Sequence, residues 1–288
     1  MGLTATVADL LITSPANPRL KAVVALRRRR TREESSTTLV EGHEELALAL
    51  ASGIRPQTLF VCPELFSPAG QAGRQEIGRR QDDLVEHARQ LGAEVVRLSR
   101  TAFEKVAYRE GPDGLLGVVP AVGRALYTLD IDDDDALLLV AQRVEKPGNL
   151  GAMLRTADAA GVTAVVAADP VTDWGNPNVV RASKGTVFAV PVATATTTET
   201  LHWLAAQNVR LVVTTPDTDL LYTDADLTGR VAVAVGAEKH GADDDLLLAA
   251  AYRVRIPMRG KANSLNVAAS AAIVLFEALR QRTASTPG

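Results

Sequence analysis

The chain has 288 residues, 47% of them hydrophobic and 23% charged, the composition of an ordinary globular protein long enough for two cores. Its single cysteine, Cys62, excludes a disulfide framework and a multi-thiolate metal site; the four histidines show no ligand spacing, and no apolar run approaches a membrane span, so neither metal nor membrane partner is expected and the protein reads as cytoplasmic. A net charge of −3 argues against a surface coated in nucleic acid, yet Lys and Arg outnumber Asp and Glu by 7 to 1 in the first 32 residues.

In chain order, a helix is expected from Asn17 to Leu26, followed by the run Arg27, Arg28, Arg29, Arg30 and Arg32. Such a run is either a solvated face or loose arm, or a set of phosphate contacts, since guanidinium forks match phosphate oxygens. Strands at Thr37–Val40, Thr58–Val61, Glu94–Arg97 and Gly114–Val119 then alternate with helices at Glu44–Leu50, Arg74–Gln90 and from a Ser99 cap to Val106, with a loop around Pro63, Pro68 and Gly70. Residues 1–120 thus read as one small α/β domain with a basic N-terminal segment. Residues 121–135 read as a linker, because Asp130 and Asp132–Asp135 form a charge run of the kind that stays solvated; spaced oxygens and a turning glycine for an EF-hand are absent.

Residues 136–288 read as a second α/β domain. The apolar strand Ala136–Val140 leads to Pro147-Gly148-Asn149-Leu150-Gly151, where Asn149 is expected to cap a helix that carries Arg155 and stops at Gly161. The strand Thr163–Ala168 follows at once, which makes a βαβ unit and a parallel crossover. Further strands are expected at Phe188–Val190, Leu211–Thr214, Val231–Val235 and Tyr252–Ile256, and helices near Asn178–Lys184, Thr198–Asn208 and after Ser264 or Asn266. Apolar β-branched strands such as Val231–Val235 suit a mostly parallel sheet covered on both faces. Ligands of such sheets sit beyond the carboxyl ends of the strands, and three polar segments leave those ends: 149–155, 236–241 and 256–270. A small-residue helix start there offers backbone amides to a ligand. The dinucleotide fingerprint, the P-loop and the nucleophile elbow of serine hydrolases are all missing, which lowers nicotinamide, nucleotide-hydrolysing and serine-hydrolase chemistry.

Asn149-x-Gly151 with Arg155, Gly236-x-Glu238-x-x-Gly241, and Ile256-Pro257-Met258 with Ser264-Leu265-Asn266-Val267-Ala268 resemble, in order, the three motifs of the SpoU (TrmH) family of RNA ribose 2′-O-methyltransferases. The N-terminal half resembles that family's L30e-like RNA-binding domain, chiefly at Leu39–Glu44 and Gly114–Val118. The resemblance implies a trefoil-knotted, mostly parallel α/β sheet flanked by helices, of the SPOUT type, with a smaller L30e-like α/β domain before it. It also implies a homodimer that uses S-adenosylmethionine. By carry-over, Gly236, Ile256, Met258, Leu265 and Asn266 hold the cofactor, and Asn149, Arg155, Glu238, Ser264 and Asn266 form the catalytic centre. Arg27, Arg28, Arg29, Arg30 and Arg181 are the candidate RNA contacts.

A ribose hydroxyl is a poor nucleophile while protonated, so transfer of a methyl group to it demands alignment and a proton acceptor. The family's usual proposal gives activation to Arg155. A guanidinium is effectively always protonated, so a bidentate clamp on the neighbouring RNA phosphate is the easier role. Ser264 is suited to orient the hydroxyl, Asn149 and Asn266 to fix loops or the next nucleotide, and Glu238 to accept backbone amides. Aromatics are only 4% of the chain and offer no base-stacking platform. The expected substrate is 23S rRNA, with a uridine target and an avilamycin-type antibiotic-resistance role as the narrower expectation. Transfer RNA methylation by the same family, and a non-catalytic RNA-binding assembly factor, are the alternatives; RNA acceptance and cofactor affinity separate them.

Overall fold

The computed structural model describes residues 9–66 and 74–285, with residues 74–79 and 285 by backbone alone. Pro68 and Gly70 of the expected loop lie outside the described residues. Two compact units emerge, the first running to Ala121 with Gly175–Pro177, the second comprising Val122–Trp174 and the chain from Asn178.

The first unit contains β1 (Leu10–Ile12), α1 (Pro18–Ala25), α2 (Arg29–Ser35), β2 (Thr37–Glu41), α3 (His43–Ala51), β3 (Thr58–Val61), α4 (Arg74–Gln90), β4 (Glu94–Leu98), α5 (Arg100–Val106) and β5 (Leu115–Pro120). The sheet order is β1-β4-β3-β5-β2; β1, β4 and β3 run parallel, and β5 is antiparallel to both β3 and β2. Asn17 caps α1 through the Arg19 amide and Ser99 caps α5 through the Ala102 amide, local signals that the sequence displays openly. The two helices pack their apolar faces with Leu39, Phe60, Val96, Leu98 and Leu116 in one core.

The arginine run is not a loose arm. After Arg28 it forms α2, where Arg29 pairs with Glu33 and Arg30 with Glu34 at 2.7 Å each. Arg32 is buried and donates to the carbonyls of Leu26 and Arg27. The i,i+4 charge pattern was present in the sequence as a helix signal.

The second unit contains β6 (Leu137–Gln142), α6 (Pro147–Ala159), β7 (Ala164–Ala168), α7 (Pro177–Ala182), β8 (Val192–Ala195), α8 (Thr197–Ala206), β9 (Arg210–Thr214), β10 (Val231–Val235), α9 (Asp244–Ala249), β11 (Tyr252–Val254) and α10 (Val267–Ser285). Its six strands are all parallel, in the order β11-β9-β10-β6-β7-β8. Strands β6, β7 and β10 are buried throughout, as their uninterrupted apolar sequences require. One face of the sheet packs with Leu204 of α8 and Leu246 of α9; α10 packs beside α6 and against β10.

Three expectations are corrected. The strand placed at Phe188–Val190 is instead a 3-10 turn, Thr186–Phe188, entered from Gly185 in the left-handed conformation; the strand proper, β8, starts after Pro191. Asn149 does not cap α6: Pro147 in the first turn starts the helix earlier, Lys146 stands at the cap, and Asn149 is already helical. The 121–135 segment is not a free linker, because Leu126, Leu129 and Ile131 are buried in the second unit's core. Its aspartates are exposed, yet Asp135 pairs with Arg282 at 2.8 Å and Asp134 lies 3.6 Å from Arg230. No group of acidic, histidine or cysteine side chains suited to a metal occurs among the described residues.

Candidate active site at the carboxyl edge of the second sheet

The loops that leave β9, β10 and β11, together with the start of α6, enclose a cavity of about 570 Å³. This lies within the usual range of small-molecule sites. Asn149, Gly236, Glu238, Ser264, Leu265 and Asn266 all line it. Ile256 and Met258 line an adjoining cavity of about 100 Å³, which shares Ser264, Leu265 and the Thr214–Pro216 loop. Three segments far apart in sequence therefore meet at one edge.

A hydrogen-bonded chain ties them. Glu238 accepts from the Asn149 side-chain amide at 2.8 Å and from the backbone amides of Glu145 at 3.2 Å and Lys146 at 3.4 Å. Asn149 Oδ1 in turn accepts from Asn266 Nδ2 at 3.1 Å. Asn266 Oδ1 accepts from the amides of Ala268 and Ala269, so Asn266 is the cap of α10. Burial pushes the Glu238 carboxyl up, but the bonds from Asn149, its own amide, Glu145 and Lys146 together hold it below its ordinary value. With its oxygens committed to these donors, Glu238 is built as an anchor.

The loop that follows β10 is fixed at its other end as well. Gly236 packs so closely on Gly241 and Ala242 that a Cβ would overlap their backbone, and Ala237 and Gly241 exchange two backbone hydrogen bonds of 2.9 Å. Next along, the Asp243 amide donates to the Gln142 side-chain carbonyl at 3.1 Å, while Asp243 caps α9. Gln142, buried at the end of β6, donates its Nε2 to Thr197 Oγ1 at 2.9 Å. Sequence reasoning missed Gln142 and the Thr214–Pro216 loop; their position at the carboxyl ends of β6 and β9 was the available signal.

Arg155 is not brought to the cavity. It is exposed on α6, about 9 Å along the helix from Asn149 at 1.5 Å per residue, and its guanidinium makes no hydrogen bond or ion pair among the described residues. Gly151, one turn before it on the same face, lets α7 close in: an added Cβ would stand 2.5 Å from that of Ala182. Arg181, exposed in the last turn of α7, precedes Ala182. Among the N-terminal arginines, Arg27 donates to the carbonyls of Val106 and Ala107, Arg29 and Arg30 are ion-paired, and Arg28 is exposed.

With this geometry in view, the comparisons with known proteins decide the family. Residues 136–276 match the SpoU rRNA Methylase family, and residues 17–117 the MRM3-like substrate binding domain. The 23S rRNA (guanosine(2553)-2′-O)-methyltransferase RlmP of Bacillus subtilis is 30% identical over 92% of this chain and 97% of its own. The chain belongs to the SpoU family. The 23S rRNA (uridine(2479)-2′-O)-methyltransferase of Streptomyces viridochromogenes is 29% identical over 93% of this chain and 91% of its own. The AdoMet-bound rRNA methyltransferase of Sinorhizobium meliloti superposes with a TM-score of 0.83 at 28% identity, over 94% of this chain and 97% of that one.

Proposed function

We propose that this SpoU-family protein transfers a methyl group from S-adenosylmethionine to a ribose 2′-hydroxyl of 23S rRNA. The observation that carries the reading is the chain of side chains from Glu238 through Asn149 to Asn266, which gathers all three motif segments around one cavity. The full-length likeness to 23S rRNA 2′-O-methyltransferases supports the reaction and the substrate class.

The cavity suits the cofactor in size and in chemistry. Its walls combine small apolar groups, hydroxyls and exposed backbone, and Gly236 leaves the β10 loop in a closure that no side chain could share. Gly236, Ile256, Met258, Leu265 and the Asn266 backbone would hold it there. Bound S-adenosylmethionine supplies an electrophilic methyl group on its sulfonium. Ser264 orients the ribose hydroxyl at the cavity wall, while Glu238, Asn149 and the Asn266 side chain keep the loops in register. Arg155, exposed and without a partner among the described residues, clamps the phosphate next to the target nucleotide, with Arg181 beside the same α6–α7 seam. A protonated guanidinium favours that role over base catalysis. On this reading the protein is cytoplasmic and a homodimer, its second unit carries the trefoil knot of its family, and its target is a single nucleotide, a uridine whose methylation gives antibiotic resistance being the narrower version.

The test is transfer of tritiated methyl label to unmodified 23S, 16S and transfer RNA, with mapping of the labelled ribose. Label in 23S RNA that is lost in Arg155→Ala supports the reading, and weaker RNA binding by that variant supports the clamp. Label in transfer RNA alone would replace the substrate, and a protein that binds RNA without binding S-adenosylmethionine would be an assembly factor instead. A mapped guanosine would exclude the uridine version.

A further inference from the structure

In the first unit, the segment that leaves β1, together with α1 and α5, walls an open groove of about 750 Å³ lined by Pro15, Ala16, Lys21, Val24, Thr101 and Lys105. We propose that this groove is the RNA-gripping site of the first unit, taking an unpaired nucleotide on its apolar floor and the flanking phosphates on Lys21 and Lys105. The proposal rests on the reading of this protein as an RNA methyltransferase and names where its substrate is held.

Four observations carry it. The groove opens at the carboxyl ends of the parallel strands β1 and β4, where loops rather than strand edges face outward. Its charge is of one sign: both ammonium groups are exposed and have no hydrogen-bond or ion-pair partner among the described residues, and no carboxylate lines the groove. The nearest acid on α5, Glu104, is engaged by Arg100 at 3.0 Å. Finally, the side chains of Pro15, Ala16 and Val24 give a floor without charged or polar groups, which a duplex backbone cannot use but a splayed base can.

The groove also reassigns the arginine run. Arg27 lashes the end of α1 to the end of α5 through the carbonyls of Val106 and Ala107, at 3.0 and 2.8 Å, and so keeps the two walls together. Arg29 and Arg30 are held by Glu33 and Glu34. In this arrangement the lysines hold phosphate, Arg27 holds the walls, and α2 is a solvated face.

The experiment compares the full-length protein with its Lys21→Glu/Lys105→Glu and Arg29→Ala/Arg30→Ala variants. Affinity for unmodified 23S transcript is measured by filter binding from low to high potassium chloride, with the calorimetric unfolding transition of the first unit as the control for its folding and S-adenosylmethionine binding as the control for the second unit. The lysine variant should keep cofactor affinity, lose roughly tenfold or more in RNA affinity, and lower the salt slope by about 1.4 to 1.8, two phosphates' worth. The arginine variant should retain the slope. A lysine variant with unchanged slope and affinity overturns the groove, even where methyl transfer to 23S RNA succeeds. Failure of the wild type to methylate 23S RNA overturns the 23S rRNA substrate reading and leaves the two slopes to judge the groove. Cross-linking of 4-thiouridine transcript gives a second readout: adducts at residues 15–24 or 101–105 support the site, and adducts confined elsewhere overturn it.

Discussion

Asn149 stands between a carboxylate and a second amide, using its NH2 toward Glu238 and its oxygen toward Asn266. Replacing it with alanine leaves both partners short of a bond and frees the α10 cap. Asn149→Ala should lower methyl transfer about 100-fold, as expected for loss of alignment near 1 Å, while unfolding shifts by only about 1–3 kcal/mol; an activity loss that merely tracks the unfolded fraction would refute the alignment role. The sequence named Asn149, Glu238 and Asn266 through the family motifs, but it could not show that the three bond to each other. It also misread Asn149 as a cap, since an asparagine at the cap and one at the third position of a helix that starts at a proline look alike in sequence. Glu41, in the first unit, gives a pH prediction. Burial raises its carboxyl from 4.5 to about 7, and the bond from the Tyr108 amide and the nearby Arg109 only partly oppose this. Between those two values the folded protein keeps a proton that the unfolded chain has released, so stability falls as pH rises through that window and levels off above it. Glu41→Gln should abolish the fall and be more stable at pH 8 by on the order of 3 kcal/mol, measured by urea unfolding across pH. Identical profiles for the two proteins would sink the assignment.

Elements with a strong local period were legible. Helices α1, α4 and α8 and strands β6, β7, β9 and β10 fall where capping residues, polar or apolar runs and glycine stops put them, and α6 ends at its glycine stop although it starts before the expected cap. Elements fixed by tertiary context were not. Strand β1 is three residues long and finds its register only against β4, and Phe188–Val190 reads as a strand until the turn at Gly185 and the proline at 191 displace pairing to Val192. Helix α9 was signalled by Asp243 before an acidic and leucine-rich stretch, a signature that went unused. Gln142 links three of these elements, since its amide reaches the first residue of α8 and the cap of α9 from the end of β6. Gln142→Leu keeps the volume and removes both bonds. It should weaken S-adenosylmethionine binding roughly tenfold by loosening the end of the Gly236–Ala242 loop, with RNA affinity unchanged; calorimetry with cofactor and filter binding with RNA separate the two effects. In α2, by contrast, the Arg29–Glu33 and Arg30–Glu34 pairs are exposed, so breaking both should cost less than about 1 kcal/mol.

At the scale of the whole molecule, each unit has its own buried core, and every residue that lines the cavity proposed for the cofactor belongs to the second. Cofactor at 100 times its dissociation constant should stabilise that unit by about 2.7 kcal/mol. Scanning calorimetry should therefore show the transition of the second unit moving up while that of the first stays in place; a joint shift of both would mean that they unfold as one. The cavity also has a history in time. Its bonds span 89 residues from Asn149 to Glu238 and 117 from Asn149 to Asn266, so none of its walls is complete until the start of α10 has been made. Contacts of such sequence separation form late. A growing chain that has reached only β11 carries Asn149 and Glu238 but still lacks Ser264, Leu265 and Asn266, so the cavity closes only when all but the last helix has been made.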